Sequence, residues 1–382
     1  MHICFVTSEY PKKGFPHGGI GTFVATIAPL LVARGVRVSV VGLNYENHQV
    51  TEWKDGITIY RLKRYPKAKG LQWYLRAKSF GDAIAQIHQE HPIDLVETPE
   101  NGLAFLPKID GIRYVIRLHG GHHFFAEGEQ RPVNKWKGFQ EKRSFKRADA
   151  FIAVSSYVKS HTAKYLSYHN KPIEVINYPI QLGYFVPDPE LSYDLNRLVF
   201  AGTICEKKGI RQLIQAMQIV QHSHPDVYLE VYGRDWHFPN GDSYTAYLMA
   251  QFTEAELARV HFKGAVAHTD LPGIYQQAFI CVFPSHMETQ GLVVPEAMAM
   301  ERPVVFSKTG PGPETIVPKE TGLLCDPFDP ADIANQLSWF LTHRAEADEI
   351  GKRARKAVLQ KFATDPILDQ NIQFYKQLIT SL

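Results

Sequence analysis

Two glutamates, Glu288 and Glu296, lie eight residues apart where an apolar segment gives way to a helical one. Residues 281–283 predict the end of a buried strand, a polar loop follows, and a helix is expected to begin close to Gly291. Pro295 fits only the first turns of a helix, where its missing N–H is no loss. The unpaired N–H groups of a helix start attract anions. The segment therefore predicts an anion site with one carboxylate in front of it and another about one turn inside.

This segment begins with Pro284 and Ser285, contains Gly291 and Leu292, and ends in Glu-Ala-Met-Ala. It resembles the E-x7-E signature of the family 4 retaining glycosyltransferases. The resemblance implies an α/β protein of the GT-B type, with two tandem Rossmann-like domains facing a deep cleft. It also implies transfer of a sugar from a nucleoside diphosphate sugar to a hydroxyl acceptor, in bacterial-type polysaccharide, glycolipid or glycoconjugate synthesis. A helix start with two solvated carboxylates is the alternative explanation.

A second segment, residues 202–209, follows the first strand of the second half and reads Gly-Thr-Ile-Cys-Glu-Lys-Lys-Gly. The family usually has Gly-Arg-x4-Lys-Gly here, and both cations neutralise the leaving diphosphate. Lys208 matches this pattern, whereas Thr203 stands at the position of the arginine. Lys207 or an arginine of the first half could supply the missing charge. A solvated lysine at a helix start is the simpler explanation of Lys208.

The resemblance assigns roles to individual residues. It implies that Lys208 and the backbone near Gly291 stabilise the departing phosphate, that Glu288 holds sugar hydroxyls, and that Glu296 holds the ribose. Residues 262–266 resemble the strand and loop whose backbone holds the nucleobase. The implied catalytic residues are His119, Lys208 and Glu288. The implied donor-binding residues are Gly18, Gly19, Gly21, Gly202, Thr203, Lys208, Val266, Glu288, Thr289, Gln290, Gly291, Leu292 and Glu296.

The glycine-rich loop at residues 17–22 follows the first predicted strand. Glycines let a backbone approach a ligand closely, and the helix start behind them favours an anion. The loop lacks the G-x-G-x-x-G pattern, and no acidic residue ends the second strand to bind a ribose, which argues against a dehydrogenase. The loop is similar to the one that the family presents to the donor diphosphate and the acceptor.

His119 ends an apolar strand and is followed by Gly120. The family commonly has His-Gly here, with the histidine close to the donor sugar; a core histidine bonded to backbone is the alternative. His122 and His123 follow, but no cysteine or well-placed carboxylate completes a tetrahedral metal set. The chain has no Asp-x-Asp to hold a divalent cation. We expect no metal and no cofactor, with the nucleoside diphosphate sugar as a co-substrate.

The net charge of +3 is unevenly divided along the chain. Residues 1–185 carry 25 basic and 15 acidic side chains, whereas the remainder carries 17 and 24. A basic half suggests an anionic partner, such as a phosphorylated acceptor or a membrane surface. Residues 131–147 combine seven basic side chains with Trp136, Phe139 and Phe145. They predict either peripheral contact with an anionic membrane or a solvated face over a buried aromatic stripe, and no nucleic-acid-binding module accompanies them.

Strand-like and helix-like segments alternate in both halves, which predicts two parallel, doubly wound sheets. The predicted domains are 1–180, completed by a C-terminal helix at 366–382 that returns to it, and 196–365, with a proline-rich linker at 181–195. The first is expected to bind the acceptor and the second the donor. The predicted strands lie at 3–7, 36–42, 95–97, 114–118, 150–154, 198–202, 228–233, 260–264, 280–284 and 303–307, and helices at 23–34, 78–90 and 135–147.

The chain begins directly with a strand, and no apolar segment reaches the length of a membrane span. Its four scattered cysteines predict reduced, buried thiols. We therefore expect a cytoplasmic protein, either free or peripheral at the inner face of the membrane.

Two other functions remain open at this stage. A nucleotide-sugar 2-epimerase shares the GT-B architecture, and it would form product without an acceptor. A non-catalytic nucleotide-sugar-binding protein would be consistent with Thr203 in place of the family's arginine. The sequence leaves the base and sugar of the donor, the identity of the acceptor and the oligomeric state undetermined.

Overall fold

The computed structural model describes residues 1–15, 18–64, 70–129 and 131–380. These residues form two compact units. The first unit is Met1–Pro179 together with the C-terminal segment that begins at Asp365, and the second is Ile180–Thr364. Ile180, expected at the end of the first domain, and the expected linker 181–195 are thus grouped with the second unit, whose first strand already begins at Asp194.

The described part of the first unit contains one eight-stranded sheet. Its strands are β1 His2–Val6, β2 Arg37–Leu43, β3 Val50–Lys54, β4 Ile57–Leu62, β5 Leu95–Thr98, β6 Arg113–Leu118, β7 Ala150–Ala153 and β8 Ile173–Val175. The order across the sheet is β3-β4-β2-β1-β5-β6-β7-β8. The predicted strands of this half are confirmed, because each overlaps a parallel strand buried on both faces.

One edge of this sheet departs from the predicted parallel pattern. Strands β3 and β4 form an antiparallel hairpin, and Asp55 and Gly56 in the turn both have positive φ, of 53° and 77°. Asp-Gly is the usual solution for a two-residue turn that needs this backbone. Neither strand was predicted, although the Asp-Gly dipeptide visible in the sequence is a signal that could have indicated this hairpin.

In the residues that the structure describes, five helices of the first unit come before Ile180 and cover or connect its strands. They are α1 Gly19–Ala33, α2 Gln72–Glu90, α3 His122–Gly128, α4 Lys135–Arg147 and α5 Ser156–Ala163. The three helices predicted in this half correspond to α1, α2 and α4. Asn134 caps α4 by accepting hydrogen bonds from the backbone of Trp136 and Lys137, so the helix begins at Lys135.

The described part of the second unit contains a six-stranded, entirely parallel sheet. Its strands are β9 Asp194–Ala201, β10 Tyr228–Tyr232, β11 Val260–Gly264, β12 Ala278–Phe283, β13 Val304–Ser307 and β14 Leu323–Cys325. The order is β11-β10-β9-β12-β13-β14. The five strands predicted in this half are confirmed. The reversal between β9 and β12 is the point where such sheets bind ligands at their carboxyl edge.

The helices of this unit complete a doubly wound α/β fold. They are α6 Ile210–Ser223, α7 Tyr244–Met249, α8 Glu254–Leu257, α9 Leu271–Gln276, α10 Val293–Ala299, α11 Gly312–Thr315, α12 Pro330–Thr342 and α13 Arg344–Lys361, with short 3-10 turns at Glu206–Lys208 and His268–Asp270. One apolar core joins the sheet to α6, α10, α12 and α13.

The last helix, α14 Thr364–Thr380, belongs to the first unit, which confirms the predicted return of the C-terminal helix. It contributes Asn371 and Tyr375 to a buried polar network. The Arg117 guanidinium donates to both carboxylate oxygens of Glu97, at 2.7 and 3.1 Å, and to Asn371 Oδ1 at 2.6 Å. The Tyr375 hydroxyl donates to Glu97 at 2.6 Å and accepts from Arg117 at 3.1 Å. A buried charge pair survives only with such additional bonds, so α14 is required for this core.

All four cysteines are buried and free, as expected. No helix in the part of the chain that the structure describes is long and apolar enough to cross a membrane.

The buried network predicts that two substitutions on α14 differ in their effect on stability. Replacing Tyr375→Phe removes a hydroxyl that bonds both members of the buried pair, so the free energy of unfolding should fall by about 1–3 kcal/mol. Urea denaturation followed by fluorescence, read on the transition of the first unit, measures this loss.

Asp369→Asn is the matched control. Asp369 lies on the same helix and pairs at 2.5 Å with Arg34, the residue that follows α1; the two side chains are 63% and 38% exposed. Exposed pairs contribute little to stability, so this variant should unfold almost as the parent does. Equal losses in the two variants would show that the buried network does not anchor α14.

Candidate functional site

The sequence-predicted residues of the second unit gather at the carboxyl edge of its sheet because of the strand order. Strand β9 lies between β10 and β12. Gly202, Thr203 and Lys208 follow β9, and Glu288 follows β12. Segments 80 residues apart in the chain therefore leave the sheet side by side.

A close backbone contact fixes these two segments against each other. Gly209 has φ of 70°, and a Cβ atom at this position would lie 1.9 Å from the carbonyl oxygen of Pro284. Only glycine fits both the conformation and the space. The backbone N–H of His286 also donates to the carbonyl of Lys207 at 2.8 Å. The turn before α6 is thereby held directly against the loop after β12.

Lys208 and Glu288 meet in this contact as a hydrogen-bonded ion pair. Both side chains are mostly buried, with exposed fractions of 20% and 14%. Burial opposes the charged form of Lys208, but the nearby Glu288 carboxylate outweighs it and raises the pKa of the lysine. Lys208 is thus a permanent cation at the edge of the sheet, oriented by a carboxylate that keeps further acceptor capacity.

An arginine that sequence reasoning missed lies beside Thr203. Arg234 follows β10, and its Nε donates to Thr203 Oγ1 at 3.4 Å. The two segments are aligned by backbone, since Ile204 N–H donates to the Arg234 carbonyl at 2.9 Å. The sequence proposed Lys207 or an arginine of the first half to replace the missing cation. The structure brings a guanidinium of the second unit, 31 residues along the chain, beside Thr203, and the two earlier candidates stay predictions.

Glu296 lies inside α10 and is buried. Its carboxylate accepts a hydrogen bond from His268 Nε2 at 2.8 Å. Burial raises the pKa of Glu296, whereas the hydrogen bond to Glu296 raises the pKa of His268. His268 and Val266 both lie in the segment after β11, and Val266 is partly exposed. The structure therefore brings Glu296 to the loop of Val266, through a histidine that no sequence pattern singled out.

The residues between the two glutamates form the turn before α10. Leu292 is the N-cap, so the helix begins at Val293, two residues after the expected start near Gly291. Gly291 has φ of 72°, and a Cβ atom there would lie 3.1 Å from the Phe306 ring. Gln290 is buried, and Thr289 lies between it and Glu288. Pro295 is the third residue of the helix, a position at which its missing N–H is tolerated.

In the first unit, Gly18, Gly19 and Gly21 form the start of α1, with Gly18 as the N-cap. A Cβ atom at Gly21 would lie 2.0 Å from the carbonyl oxygen of Glu9. Small residues here let α1 pack closely on the segment that follows β1. The same helix positions Phe23, whose ring lies next to that of His119.

His119 follows β6 and is half-buried. Its Nδ1 lies 2.5 Å from the Tyr178 hydroxyl, and its ring lies 5.5 Å from that of Phe23. Burial, and then the nearby Arg117 charge, lower the pKa of His119 well below its ordinary value. The histidine is thus a neutral imidazole at neutral pH, which can donate or accept one hydrogen bond at its other nitrogen. Arg117 lies 4.5 Å over the Phe23 ring, so the buried network of α14 supports this group.

A buried carboxyl group next to His119 was also missed. Glu100 follows β5, and burial raises its pKa to about 8, while backbone hydrogen bonds from Glu100 itself, His119 and Gly120 act in the opposite direction. The nearby Glu141 charge adds to the increase. Glu100 therefore shapes the turn that carries His119.

His122 and His123 take part in local bonding. His123 Nδ1 lies 2.5 Å from Glu141, and His122 Nε2 accepts from the backbone N–H of Asn134 at 2.8 Å. Within the described ranges, no three His, Cys, Asp or Glu side chains are grouped so that they could hold a metal ion.

The aromatic residues of α4 are divided between a buried and an exposed set. Phe145 is buried, as a buried stripe requires. Trp136 and Phe139 are instead 46% and 49% exposed, so for them the buried stripe is wrong. They stack on each other with ring centroids 5.7 Å apart and continue through Phe105 to Trp73, which lie 4.4 Å apart. We call these four rings the aromatic surface.

Two family models match the chain. The model described as Glycosyltransferase Family 4 matches residues 17–183, and the model described as Glycosyl transferases group 1 matches residues 187–357. The two matches follow each other and together span most of the chain. Each falls almost entirely within one of the two units.

Whole-length relatives agree with these matches. An uncharacterized glycosyltransferase of Methanocaldococcus jannaschii is 26% identical over 98% of each chain. The sucrose-phosphate synthase structure from Thermosynechococcus elongatus has a TM-score of 0.86 at 24% identity and covers 100% of both chains. Anabaena HepE, solved in complex with UDP and glucose, has a TM-score of 0.77 at 19% identity over 99% of this chain and 100% of its own. At these identities the structural likeness establishes the fold, which is the one expected from the sequence.

Proposed function

The chain belongs to the family 4, group 1 glycosyltransferases, and we propose that it transfers a sugar from a nucleoside diphosphate sugar to a hydroxyl acceptor with retention of configuration and without a metal ion. The ion pair of Lys208 and Glu288 at the carboxyl edge of the second sheet is the observation that carries this proposal. The arrangement supports a site for a phosphate with a hydroxyl-binding carboxylate next to it. The following steps rest on the residues around this pair.

Cleavage of the donor's glycosidic bond leaves negative charge on the β-phosphate. Lys208 is protonated and positively charged at neutral pH, because its pKa is raised. A fixed cation that needs no reorganisation during the reaction stabilises the transition state more than the ground state. Glu288 orients this cation and, with its remaining acceptor capacity, binds hydroxyl groups of the donor sugar. Backbone groups of residues 289–292 complete the phosphate site.

The second half of the donor site is proposed around Glu296. Its carboxylate binds the ribose hydroxyls, and the loop of Val266 binds the base, as the bond from His268 to Glu296 brings these segments together. HepE was solved with UDP and glucose, so UDP-glucose is the first donor to test.

Retention follows in this proposal from attack on the face that the phosphate leaves. The acceptor hydroxyl forms the new bond to the anomeric carbon, the bond to the β-phosphate oxygen breaks, and that phosphate takes the hydroxyl proton. His119 contacts the donor sugar as a neutral hydrogen-bonding group, consistent with its lowered pKa. The acceptor binds in the first unit, together with the glycine loop at Gly18, Gly19 and Gly21.

We also propose a peripheral contact with anionic membrane through residues 131–147. Trp136 and Phe139 offer half-exposed rings, and Lys135, Lys137 and Lys142 are exposed on the same helix. Aromatic rings favour the membrane interface, and each basic residue near an anionic surface adds about 1 kcal/mol.

The function is tested by a donor screen followed by product analysis. Thermal shift with uridine, guanosine, adenosine and thymidine diphosphate sugars identifies the donor, because a ligand of the native state raises the melting temperature. NMR of the product made with EDTA present then gives the anomeric configuration. An inverted product contradicts retention, and loss of turnover that Mg²⁺ restores contradicts metal independence. An epimerised nucleoside diphosphate sugar formed without any acceptor identifies an epimerase instead.

Lys208→Met and Glu288→Gln should each lower kcat by about 10²–10³-fold, since each removes part of the transition-state stabilisation. Circular dichroism verifies that the fold persists. Lys352→Met removes an ion-paired lysine on the surface of α13 and should leave kcat unchanged. Near-normal turnover in both site variants would overturn the assigned roles.

Arg234 is proposed to supply the second cation for the diphosphate. Arg234→Ala should lower kcat/KM by about tenfold or more, because hydrogen bonds to charged groups are among the stronger ones. Adding Thr203→Arg to this variant should recover most of the loss, because it restores a guanidinium at the family's usual position. Full activity of Arg234→Ala, or no recovery in the double variant, would count against this role.

The membrane contact predicts sedimentation with vesicles. The parent should sediment with phosphatidylglycerol vesicles at low ionic strength and be released at high salt, where charge attraction is screened. Trp136→Ala combined with Phe139→Ala should abolish sedimentation. Trp53→Ala is the control, since Trp53 is 76% exposed on β3 of the same unit. Failure of the parent to sediment at low salt would rule out the contact.

A further inference from the structure

A cavity of about 170 Å³ lies within the first unit at the carboxyl edge of its sheet. The end of β1 with the two residues after it (Val6, Thr7 and Ser8) and the segment after β5 (Pro99, Asn101 and Gly102) form its floor, and α2 and α4 contribute to its walls. These strands are neighbours in the sheet, so the position is a usual one for a ligand of an α/β fold. The volume is below the ~300–1,000 Å³ that enclose a whole drug-sized ligand. It suits one group of a larger molecule.

One face of α2 lines this cavity. Trp73, Arg76, Ala77 and Phe80 recur at the spacing of a single helix face and all line it. Arg76 is the only charged side chain among the described residues of the lining. Its guanidinium donates to the Ser8 hydroxyl at 3.2 Å and lies 5.5 Å from the Phe80 ring centroid.

The charge of Arg76 is not neutralised by the surrounding protein. In the described ranges it makes no ion pair, and no aspartate or glutamate lines the cavity. Burial, and then the nearby charge of Arg64, lower the pKa of Arg76, although part of its side chain remains exposed. The remaining polar lining is neutral, with Thr7, Asn101 and Gln140 beside Ser8. Guanidinium, hydroxyl and amide donors around one small space suit a multivalent oxyanion.

The aromatic surface continues from the cavity. Trp73 and Phe105 belong to both, and Trp136 stacks on Phe105 with ring centroids 5.7 Å apart. Rings of this kind pack against the apolar face of a sugar or against an alkyl chain. The surface therefore offers a place for the part of a ligand that the cavity is too small to hold.

We propose that this cavity binds the phosphate group of the acceptor, with Arg76 as its charged ligand and the aromatic surface under the rest of the molecule. The acceptor is thus a phosphate monoester or diester that carries the reacting hydroxyl. This inference rests on the proposed function, because it names the substrate class of the acceptor half. The cavity residues belong to the first unit and have no proposed role in donor binding.

Calorimetric titration of the full chain tests the proposal with defined probes. The soluble probes are glucose, glucose 1-phosphate, glucose 6-phosphate and inositol 1-phosphate with inositol; the amphiphilic pair is dodecyl phosphate and dodecanol. At least one phosphate should bind about 10–100-fold more tightly than its phosphate-free partner, the gain typical of a charged hydrogen bond. Arg76→Gln should remove this difference. Lys78→Gln, on the same helix but outside the cavity lining, should keep it.

The two kinds of probe distinguish the sources of the phosphate. Preference for a sugar phosphate identifies a soluble acceptor, and preference for dodecyl phosphate identifies a lipid-linked one. In turnover with the identified donor, Arg76→Gln should raise the KM for the phosphorylated acceptor about 10–100-fold and leave hydrolysis of the donor unchanged. That separation of KM from donor chemistry would not arise from a merely structural role.

The failures of the two proposals are distinguishable. A parent that binds a nucleoside diphosphate sugar but no phosphorylated probe more tightly than its partner overturns the cavity assignment and leaves the glycosyltransfer intact. Phosphate binding that survives in Arg76→Gln also overturns it. Phosphate binding that depends on Arg76 in a protein without any sugar transfer supports the cavity and refutes the proposed function.

Discussion

The close packing of Gly209 against the Pro284 carbonyl is the constraint on which the second unit's site depends. No larger residue fits, since a Cβ atom would lie 1.9 Å from that oxygen. The contact joins the turn after β9 to the loop after β12 and so brings Lys208 to Glu288. Without it the two charges would belong to separate solvated loops, where such pairs contribute little. One glycine thereby converts two ordinary charges into an oriented, mostly buried pair.

The surrounding charges follow from the same edge of the sheet. Strand β10 lies next to β9, and the segment after it carries Arg234 to the hydroxyl of Thr203. The departure from the family pattern at Thr203 is therefore accompanied by a guanidinium that arrives from a different strand. Charge at a phosphate site is required at a place in space, and the protein can supply it from any segment that ends there.

The first unit couples its site to its core. Arg117 is bonded to Glu97 and to two side chains of α14, and it also lies over Phe23, which contacts His119. Helix α14 thus stabilises the position of His119 indirectly, through Arg117 and Phe23. In this network each buried polar group depends on the others. The cavity at Arg76 lies at the same carboxyl edge, so the core and the candidate ligand groups share one sheet.

The sequence by itself determined the two α/β units, most strands, the helix start near Gly291 and the residues Lys208 and Glu288. It could do so because strand and helix periods and the ends of strands are local properties of the chain. Only the tertiary structure decided that Arg234 reaches Thr203, that His268 binds Glu296 and that Trp136 and Phe139 are exposed. It also decided that Arg76 lines a cavity without carboxylates. These facts depend on the lateral order of strands and on contacts between segments 28 or more residues apart, which no local period records.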